Sequence, residues 1–154
     1  MQISRMTKEE FKFWMTRSTS AYAKDKKIAN GYSDEEAQKI AKLDFDRLLP
    51  NGLDTKDSYL FTAKNKAAEW LGFLWFNVKG EGRAKRAFIY DIIIEDKYRG
   101  QGHGKKLMLL LEDELKKIHV NRVGLHVFGF NERAINLYKS LGYTVTDLQM
   151  EKKI

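Results

Sequence analysis

The sequence predicts an α/β fold of the mixed α+β kind, in which helices pack on a mixed β-sheet. Amphipathic stretches that begin with helix-start signals alternate along the chain with runs rich in aromatic and β-branched residues. The chain has 154 residues and shows no internal repeat or linker, which suits one domain with one core. We therefore expect a single domain that spans residues 1–154.

The N-terminal part predicts a short strand followed by two amphipathic helices. The strand covers Gln2 to Arg5. Each helix begins with a capping box, in which a Ser or Thr and a Glu three residues later satisfy each other's backbone amides. Turn-forming residues then end each helix. The capping and ending residues are Thr7 with Glu10 and Asn30-Gly31 for the first helix, and Ser33 with Glu36 and Pro50 for the second.

Three β-rich runs occupy the middle of the chain. SYLFTAK (58–64) and AEWLGFLWFNV (68–78) are dense in aromatic and branched side chains, and Asn65-Lys66 between them suits a tight turn. RAFIYDIIIE (86–95) predicts a long strand that is buried on much of both faces.

The C-terminal part predicts a leucine-rich helix, a strand, a short helix and one or two closing strands. RVGLHVF (122–128) is the predicted strand, and residues 131–141 form the short helix with Asn131 as its N-cap. Residues 143–152 can supply the closing strands. The strand–helix–strand unit over 86–128 should be a right-handed parallel crossover.

The composition favours an intracellular protein that meets anionic molecules. The formal net charge of +7 favours phosphorylated cofactors, nucleic acid or a membrane surface, although extra surface lysine explains it equally well. The chain has no cysteine, which excludes disulfides, thiolate metal sites and a cysteine nucleophile. The start, MQISRMTKEEF, has no apolar signal region, and no run reaches transmembrane length. We expect a soluble cytoplasmic protein with no membrane partner.

The stretch YRGQGHGKKL (98–107) places three glycines at every second position in front of a predicted helix. A strand that leads through such a loop into a helix presents unpaired amide N–H groups and a partial positive charge, which together form an anion-binding cradle. A P-loop needs a longer spacing between its glycines and a Ser or Thr at position 106, where this chain has Lys106. A dinucleotide-binding fingerprint needs a third glycine at position 105, where this chain has Lys105. Both nucleotide motifs therefore fail, and a glycine-rich turn without a ligand is the alternative that the residues leave open.

Two motifs together resemble the GNAT superfamily of N-acetyltransferases. Arg99-Gly100-Gln101-Gly102-His103-Gly104 matches [Q/R]-x-x-G-x-[G/A], the motif with which that family binds the pyrophosphate of acyl-CoA. Asn131 to Tyr138, followed by Leu141-Gly142-Tyr143, resembles the family's N-x-x-A-x-x-L-Y…(L)G-[FY] segment. The motifs lie on either side of a predicted strand, in the family's order. The resemblance implies a GNAT-like central sheet that is mixed, mostly antiparallel and twisted, with flanking helices.

The resemblance also implies which residues bind acetyl-CoA, the co-substrate. The loop amides would hold the pyrophosphate, and the end of the preceding strand would offer backbone groups to the pantetheine arm. Asn131 would contact the pantetheine or the acyl region, and Ala134 would leave space for the cofactor. The implied cofactor-binding residues are Ile92, Ile93, Ile94, Arg99, Gly100, Gln101, Gly102, His103, Gly104, Lys105, Asn131 and Ala134.

Tyr138 and Asp91 are the candidate catalytic residues. The resemblance implies that Tyr138 protonates the leaving thiolate, whereas helical spacing alone predicts a core aromatic. Asp91 lies inside an otherwise apolar strand, where a carboxylate must be hydrogen-bonded or have a raised pKa. Asp91 is therefore a candidate base that deprotonates the incoming amine, or a carboxylate that holds the positive charge of that amine. Alternatively, it pairs with an internal Arg or Tyr. Glu69 and Glu81 are weaker candidates, and many members of the family use a chain of waters instead of one base.

The resemblance predicts an enzyme that transfers an acetyl group from acetyl-CoA directly to a primary amine of a small molecule or a protein. Direct transfer needs no protein nucleophile, in agreement with the absence of cysteine. A non-catalytic acyl-CoA sensor of the same fold is the alternative. Charge alone suggests a nucleic-acid binder, but the basic residues are scattered. Three dispersed histidines do not predict a metal site, and a homodimer is a further expectation, since dimers are frequent in the family.

Overall fold

The structure is a computed structural model that describes residues 1–152 and 154. The described residues form five strands and four α-helices, with short 3-10 turns between some of them. The strands are β1 (Gln2–Arg5), β2 (Ser58–Lys64), β3 (Trp70–Lys79), β4 (Arg86–Ile94) and β5 (Val123–Leu125), and the helices are α1 (Lys8–Asn30), α2 (Asp34–Leu48), α3 (His103–Lys117) and α4 (Glu132–Ser140).

The five strands form one sheet in the order β1-β2-β3-β4-β5. The first four strands pair antiparallel, and β5 pairs parallel to β4 after the chain has crossed over through α3. This topology confirms the predicted fold class, a mixed and mostly antiparallel sheet flanked by helices. It also confirms the parallel strand–helix–strand unit.

The two N-terminal helices begin where the capping boxes predict. The Thr7 hydroxyl accepts a hydrogen bond from the Glu10 amide at 3.2 Å, and the Thr7 amide donates to the Glu10 carboxylate at 2.8 Å. Ser33 and Glu36 make the same reciprocal pair at 3.2 and 2.9 Å. Gly31, at φ 70°, ends α1 in a left-handed conformation that glycine adopts without steric cost.

The sheet separates two apolar cores. Leu107, Met108, Leu111 and Leu115 of α3 pack on one face, which we call the α3 core. The opposite face meets α1 and α2 in a second core that is rich in aromatic rings, which we call the α1–α2 core. Burial of each large side chain contributes about 1.5 to 3 kcal/mol, so both faces are held firmly. The central members of the α1–α2 core are Trp14, Phe45, Phe73 and Trp75.

A β-bulge in β4 changes which faces its residues occupy. Trp75 of β3 pairs with Asp91, but the next residue, Phe76, pairs with Ile89, so Tyr90 is an extra residue in β4. Ile89 and Ile92 both pack on the α3 core, although they are three residues apart. Because a strand otherwise alternates strictly, the bulge leaves Tyr90 and Asp91 together on the α1 side.

The predicted strand over 122–128 is longer than the observed one. Only Val123 to Leu125 pair with β4, and the last pair is Leu125 with Ile89. That pair lies immediately before the bulge at Tyr90. Because a bulge bends its strand and interrupts the regular ladder, β5 has no aligned partner beyond Leu125.

The prediction of closing strands over 143–152 is wrong. The structure describes these residues and assigns them to no strand. Val145, Leu148 and Met150 are instead 61%, 81% and 90% exposed. β-branched and apolar residues make a segment able to join a sheet, but a strand forms only where an edge is aligned with it.

Gly72 of β3 provides a test of how tightly the end of β4 is packed. A Cβ added at Gly72 would lie 2.1 Å from the Ile93 carbonyl oxygen, so Gly72→Ala must displace the backbone. We expect a loss of about 1 to 3 kcal/mol and a fall in Tm of roughly 3 to 10 °C, measured by thermal denaturation. Gly124→Ala in β5 is the matched control, because its Cβ would meet only Phe88 at 3.9 Å. Equal effects of both substitutions would contradict the close approach.

Candidate active site

The pairing of β4 with β5 stops at the bulge, so the rest of β4 has a free edge on that side, and we call the region beside this edge the cleft. β4 continues as far as Ile94, but its pairing with β5 stops at Ile89. On the other side, Ile92, Ile93 and Ile94 remain paired with β3. In the described part of the chain, no strand pairs with the β5-facing edge of this half of β4. Its backbone groups can therefore bind an extended ligand by the hydrogen bonds that a neighbouring strand would make.

The three glycines of the loop after β4 have different roles. Gly100 and Gly102 have φ angles of 78° and 77°, and a Cβ on either would meet nothing within 4 Å. These two positions therefore provide a left-handed backbone that faces open space. A Cβ on Gly104 would lie 3.2 Å from Leu137 Cδ2, so Gly104 instead allows α4 to pack closely on α3.

The loop presents the N-terminus of α3 without a side-chain cap. Gly102 is the N-cap residue and makes no side-chain hydrogen bond. The loop's own polar side chains point to other groups. Arg99 donates to the Ile94 carbonyl at 2.9 Å and pairs with Asp96 at 2.7 Å, and Gln101 donates to the Lys97 carbonyl at 3.1 Å. The first-turn amides of α3 are therefore available to an anion, and the helix dipole favours its negative charge.

The remaining polar residues of the loop surround this helix end. Lys105 and Lys106 are exposed, where they can reach an anion held by the amides. His103 is half-buried, and its ring lies edge-on to Tyr98 with ring centroids 6.1 Å apart. All seven loop positions from Arg99 to Lys105 thus lie at one end of the cleft.

Asp91 lies on the wall of this region that faces α1. Trp14 donates its indole N–H to Asp91 Oδ2 at 2.7 Å, and the Ser18 hydroxyl donates to the same oxygen at 2.6 Å. Burial raises the pKa of Asp91, and the hydrogen bonds from Ser18 and Trp14, with the nearby charge of Arg17, oppose that rise. Arg17 itself pairs with Glu95, so the donors to Asp91 are mainly neutral. Asp91 is therefore hydrogen-bonded, which is one of the two outcomes expected for a carboxylate inside an apolar strand, and burial raises its pKa as well. Its catalytic role stays a prediction.

Tyr138 of α4 is half-buried against the α3 core. Burial, together with the negative charge of Asp91, raises the pKa of Tyr138 to about 12. Its phenol therefore keeps its proton at neutral pH, as a general acid requires. The ring of Tyr143 lies 5.7 Å from that of Tyr138, and the buried Tyr143 hydroxyl has no hydrogen-bond partner in the described part of the chain.

Asn131 begins α4 as predicted. Its side-chain oxygen accepts a hydrogen bond from the Ala134 amide at 3.2 Å. This cap uses the oxygen of Asn131, so a contact with a ligand would use its Nδ2 group. Ala134 is half-buried in the first turn of the same helix.

The structure places the two weaker acidic candidates differently. Glu69 lines a cavity of about 340 Å³ beside the end of β4, and a hydrogen bond from Asn65 lowers its pKa, which makes it a weaker base. Glu81 precedes β4, whereas the glycine loop follows it, so roughly 25 Å of strand lies between them. Among the residues that the structure describes, no cluster of His, Asp and Glu could hold a metal ion, and no helix is long and apolar enough to cross a membrane.

Sequence reasoning missed several supporting residues. Trp14 and Ser18 follow helical spacing and are therefore easily taken for core positions, yet both hold Asp91. Their signal was the presence of a hydroxyl and an indole N–H on the apolar face of α1, four residues apart. Tyr143 belongs to the second motif, but no local signal predicts that it lies beside Tyr138.

Comparisons with known proteins agree with this geometry. A family model described as "Acetyltransferase (GNAT) family" matches residues 19–143. Two proteins of Bacillus subtilis (strain 168), each described as an uncharacterized N-acetyltransferase, are similar along nearly their whole length. YycN is 34% identical and covers 100% of this chain and 99% of its own, and YdgE is 30% identical and covers 97% and 95%. The crystal structure of YycN matches with a TM-score of 0.95 and covers 99% of this chain and 98% of its own.

The raised pKa of Asp91 predicts how stability depends on pH. A carboxyl whose pKa is higher in the folded state stabilises that state below its unfolded pKa, and this stabilisation is lost as the pH rises through the folded value. Asp91→Asn keeps an acceptor oxygen and removes the charge. We expect Asp91→Asn to raise Tm at pH 7 to 8 and the difference from wild type to shrink below about pH 4.

Thermal denaturation across pH 3 to 8 measures this effect. Asp46→Asn on the exposed surface of α2 is the control and should change stability by less than about 0.5 kcal/mol. A fall in Tm of Asp91→Asn at pH 8 would contradict the assigned direction.

Proposed function

The chain belongs to the GNAT family of acetyltransferases, and from that premise we propose that it transfers an acetyl group from acetyl-CoA directly to a primary amine. The observation that carries the proposal is the unpaired edge of β4, which leads to the uncapped N-terminus of α3. An extended thioester ligand that carries a pyrophosphate has the chemistry that this arrangement can bind.

The residues of this chain fit acetyl-CoA, which supplies the acetyl group as a thioester. The amides from Arg99 to Lys105 would hold the pyrophosphate, since Gly100 and Gly102 open the space in front of them. The backbone of Ile92 to Ile94 would hold the pantetheine arm along the free edge of β4. Asn131 and Ala134 would bound the arm on the α4 side.

Tyr138 is the proposed acid. The leaving thiolate needs a proton, and the Tyr138 phenol holds one at neutral pH because its pKa is raised to about 12. Two effects raise that pKa in the same direction, burial and the charge of Asp91. Deprotonation of Tyr138 therefore should not limit activity at any pH up to about 10.

Asp91 is the proposed partner of the amine. Its Oδ2 atom already accepts bonds from Trp14 and Ser18, and its carboxylate also carries the charge that an ammonium group needs beside it. The raised pKa of Asp91 makes it a stronger base than an exposed carboxylate. It would take the proton that the amine must lose before attack, directly or through a water.

Calorimetric titration with acetyl-CoA, CoA and ATP tests the binding half of this proposal. We expect micromolar affinity for acetyl-CoA and none for ATP. Gly102→Val should abolish binding because valine cannot adopt φ 77° without strain and would fill the open space. Gly31→Val has the same backbone strain at φ 70° far from the loop and should bind normally. Equal affinity in wild type and Gly102→Val would disprove the cradle.

Tyr138→Phe tests the proposed role of Tyr138 in catalysis. We expect kcat with an active amine to fall by about 100-fold, with little change in affinity for acetyl-CoA. Release of CoA can be followed with a thiol reagent, and because the chain has no cysteine the protein contributes no background. Unchanged turnover would remove Tyr138 as the acid. A protein that binds acetyl-CoA but releases no CoA with any amine in a broad panel would instead be the acyl-CoA sensor.

A further inference from the structure

Aromatic side chains of β4 and of the loop after β5 form a patch that lies largely outside the two apolar cores. We call it the aromatic patch, and its members are Phe88, Tyr90, His126, Phe128 and Phe130. Phe88 and Phe130 are 37% and 49% exposed. Among the described residues, Phe88, Phe128 and Phe130 are packed into neither core. Exposed apolar side chains are ordinary when they are scattered singly, but several in one place favour a binding surface.

The β4 part of the patch is held in place by a buried ring. Tyr90 stacks on Trp75 with ring centroids 4.7 Å apart and an angle of 26° between the planes, and Trp75 is only 1% exposed. Phe88 lies edge-on to Tyr90 at a centroid distance of 5.0 Å. Rings at these distances attract one another and fix one another's orientation. β4 therefore presents two rings whose positions are set before any ligand binds.

Gly124 leaves a gap beside these rings. It pairs with Phe88 across the ladder between β4 and β5. Its neighbours Val123 and Leu125 pack on the α3 core, so the alternation of the strand places Gly124 on the opposite side of the sheet, with Phe88. A Cβ added at Gly124 would approach only Phe88, at 3.9 Å. The absence of a side chain here therefore leaves open space next to the Phe88 ring.

The β5 part of the patch lies beyond this gap. His126 follows Gly124 by two residues and is exposed, so it continues on the same side of the sheet. Its ring is edge-on to Phe128 at 5.0 Å, and Phe128 stacks on Phe130 at 5.3 Å with an angle of 10° between the planes. The gap over Gly124 is thus flanked by aromatic rings from both strands.

The patch adjoins the place that we assign to the amine. Tyr90 directly precedes Asp91, and the bulge leaves both residues on the α1 side of the sheet. Phe88 is three residues before Asp91, so at most roughly 10 Å of strand separates them. The free edge of β4, beside which the thioester would lie, begins beyond Ile89. A molecule that holds its nitrogen at Asp91 therefore has its carbon skeleton beside the aromatic patch.

We propose that the primary amine acetylated by this chain carries an aromatic ring, which binds in the gap over Gly124 between the two parts of the aromatic patch. The inference rests on the proposed function, because it names the class of amine in that reaction. Two or three carbons between ring and nitrogen suit the spacing of Phe88 and Asp91. A flat ring fits best, since aromatic pairs gain attraction beyond that of their buried area.

The reaction itself is the transfer proposed above. The nitrogen of the arylalkylamine forms a bond to the acetyl carbon, and the carbon–sulfur bond of the thioester breaks. The amine gives up one proton to Asp91, and the thiolate takes one from Tyr138. The aromatic patch touches only the carbon skeleton of the amine, so it sets affinity and specificity and takes no part in proton transfer.

Calorimetric titration with 3-phenylpropylamine and 3-cyclohexylpropylamine, each with and without CoA, tests the patch directly. The two amines have the same carbon skeleton and nearly equal basicity, so the flat ring is the main difference between them. We expect the phenyl compound to bind at least about fivefold more tightly, because only its ring can stack on or meet the edges of other rings. Equal affinities, or no binding of the phenyl compound, would overturn the proposal.

Two variants locate the binding of the ring. Gly124→Val fills the gap with a residue that strands favour, and should weaken the binding of 3-phenylpropylamine by at least about tenfold. Phe130→Leu removes one ring and should weaken it by roughly threefold. Phe13→Leu is the matched control, because Phe13 is similarly exposed, at 45%, but contacts Trp70 outside the patch. Thermal denaturation verifies that each variant is folded. Unchanged affinity in both patch variants would contradict the proposal.

An assay of acetyl transfer separates this proposal from the one on which it rests. If both amines are acetylated with equal kcat/KM, the transfer stands and the aromatic class of the amine is wrong. If the chain binds 3-phenylpropylamine preferentially but releases no CoA from acetyl-CoA, the aromatic site stands and the proposed transfer is wrong.

Discussion

An extra residue in β4, Tyr90, shifts the pairing of that strand with β3 and coincides with the end of its pairing with β5. Three properties of the site depend on this bulge. It frees the edge of β4 from Asp91 to Ile94, it opens the cleft towards the glycine loop, and it turns Asp91 towards α1. A regular strand would have continued the ladder and left no backbone group for a ligand.

One environment shifts the pKa values of both candidate catalytic groups. Burial raises the pKa of both Asp91 and Tyr138, and the charge of Asp91 raises that of Tyr138 further. Trp14 and Ser18 limit the rise at Asp91 with neutral hydrogen bonds. A direct ion pair with Arg17 would have suppressed its basicity, but Arg17 pairs with Glu95 instead. The site thus keeps one group able to accept a proton and another able to donate one.

The glycine loop affects both the proposed cofactor site and the packing of α4 on α3. Gly100 and Gly102 shape the backbone in front of the first turn of α3, whereas Gly104 lets α4 approach α3 closely and so helps to place Tyr138. Arg99 and Gln101 stabilise the loop through the carbonyls of Ile94 and Lys97 and leave the helix amides free. One short segment would therefore serve both the proposed cofactor cradle and the position of the proposed acid.

The sequence by itself determined the features that depend on neighbouring residues. The capping boxes at Thr7 and Ser33, the helix periods, the tight turn at Asn65 and the uncapped glycine entry to α3 all follow from local hydrogen bonding and backbone preference. These features, with the two motifs, were enough to predict the fold class and the family.

Only the tertiary structure decided the features that depend on contacts between distant parts of the chain. The bulge at Tyr90, the early end of β5 and the hydrogen bond of Asp91 with Trp14 each depend on pairs of residues that are 13 to 77 positions apart in the sequence. The C-terminal segment, residues 143–152, shows the same limit, since the sequence predicts strands there that would form only if an edge were available. The residue pattern determines which secondary structure a segment is able to form, and the geometry of its partner determines whether that structure forms.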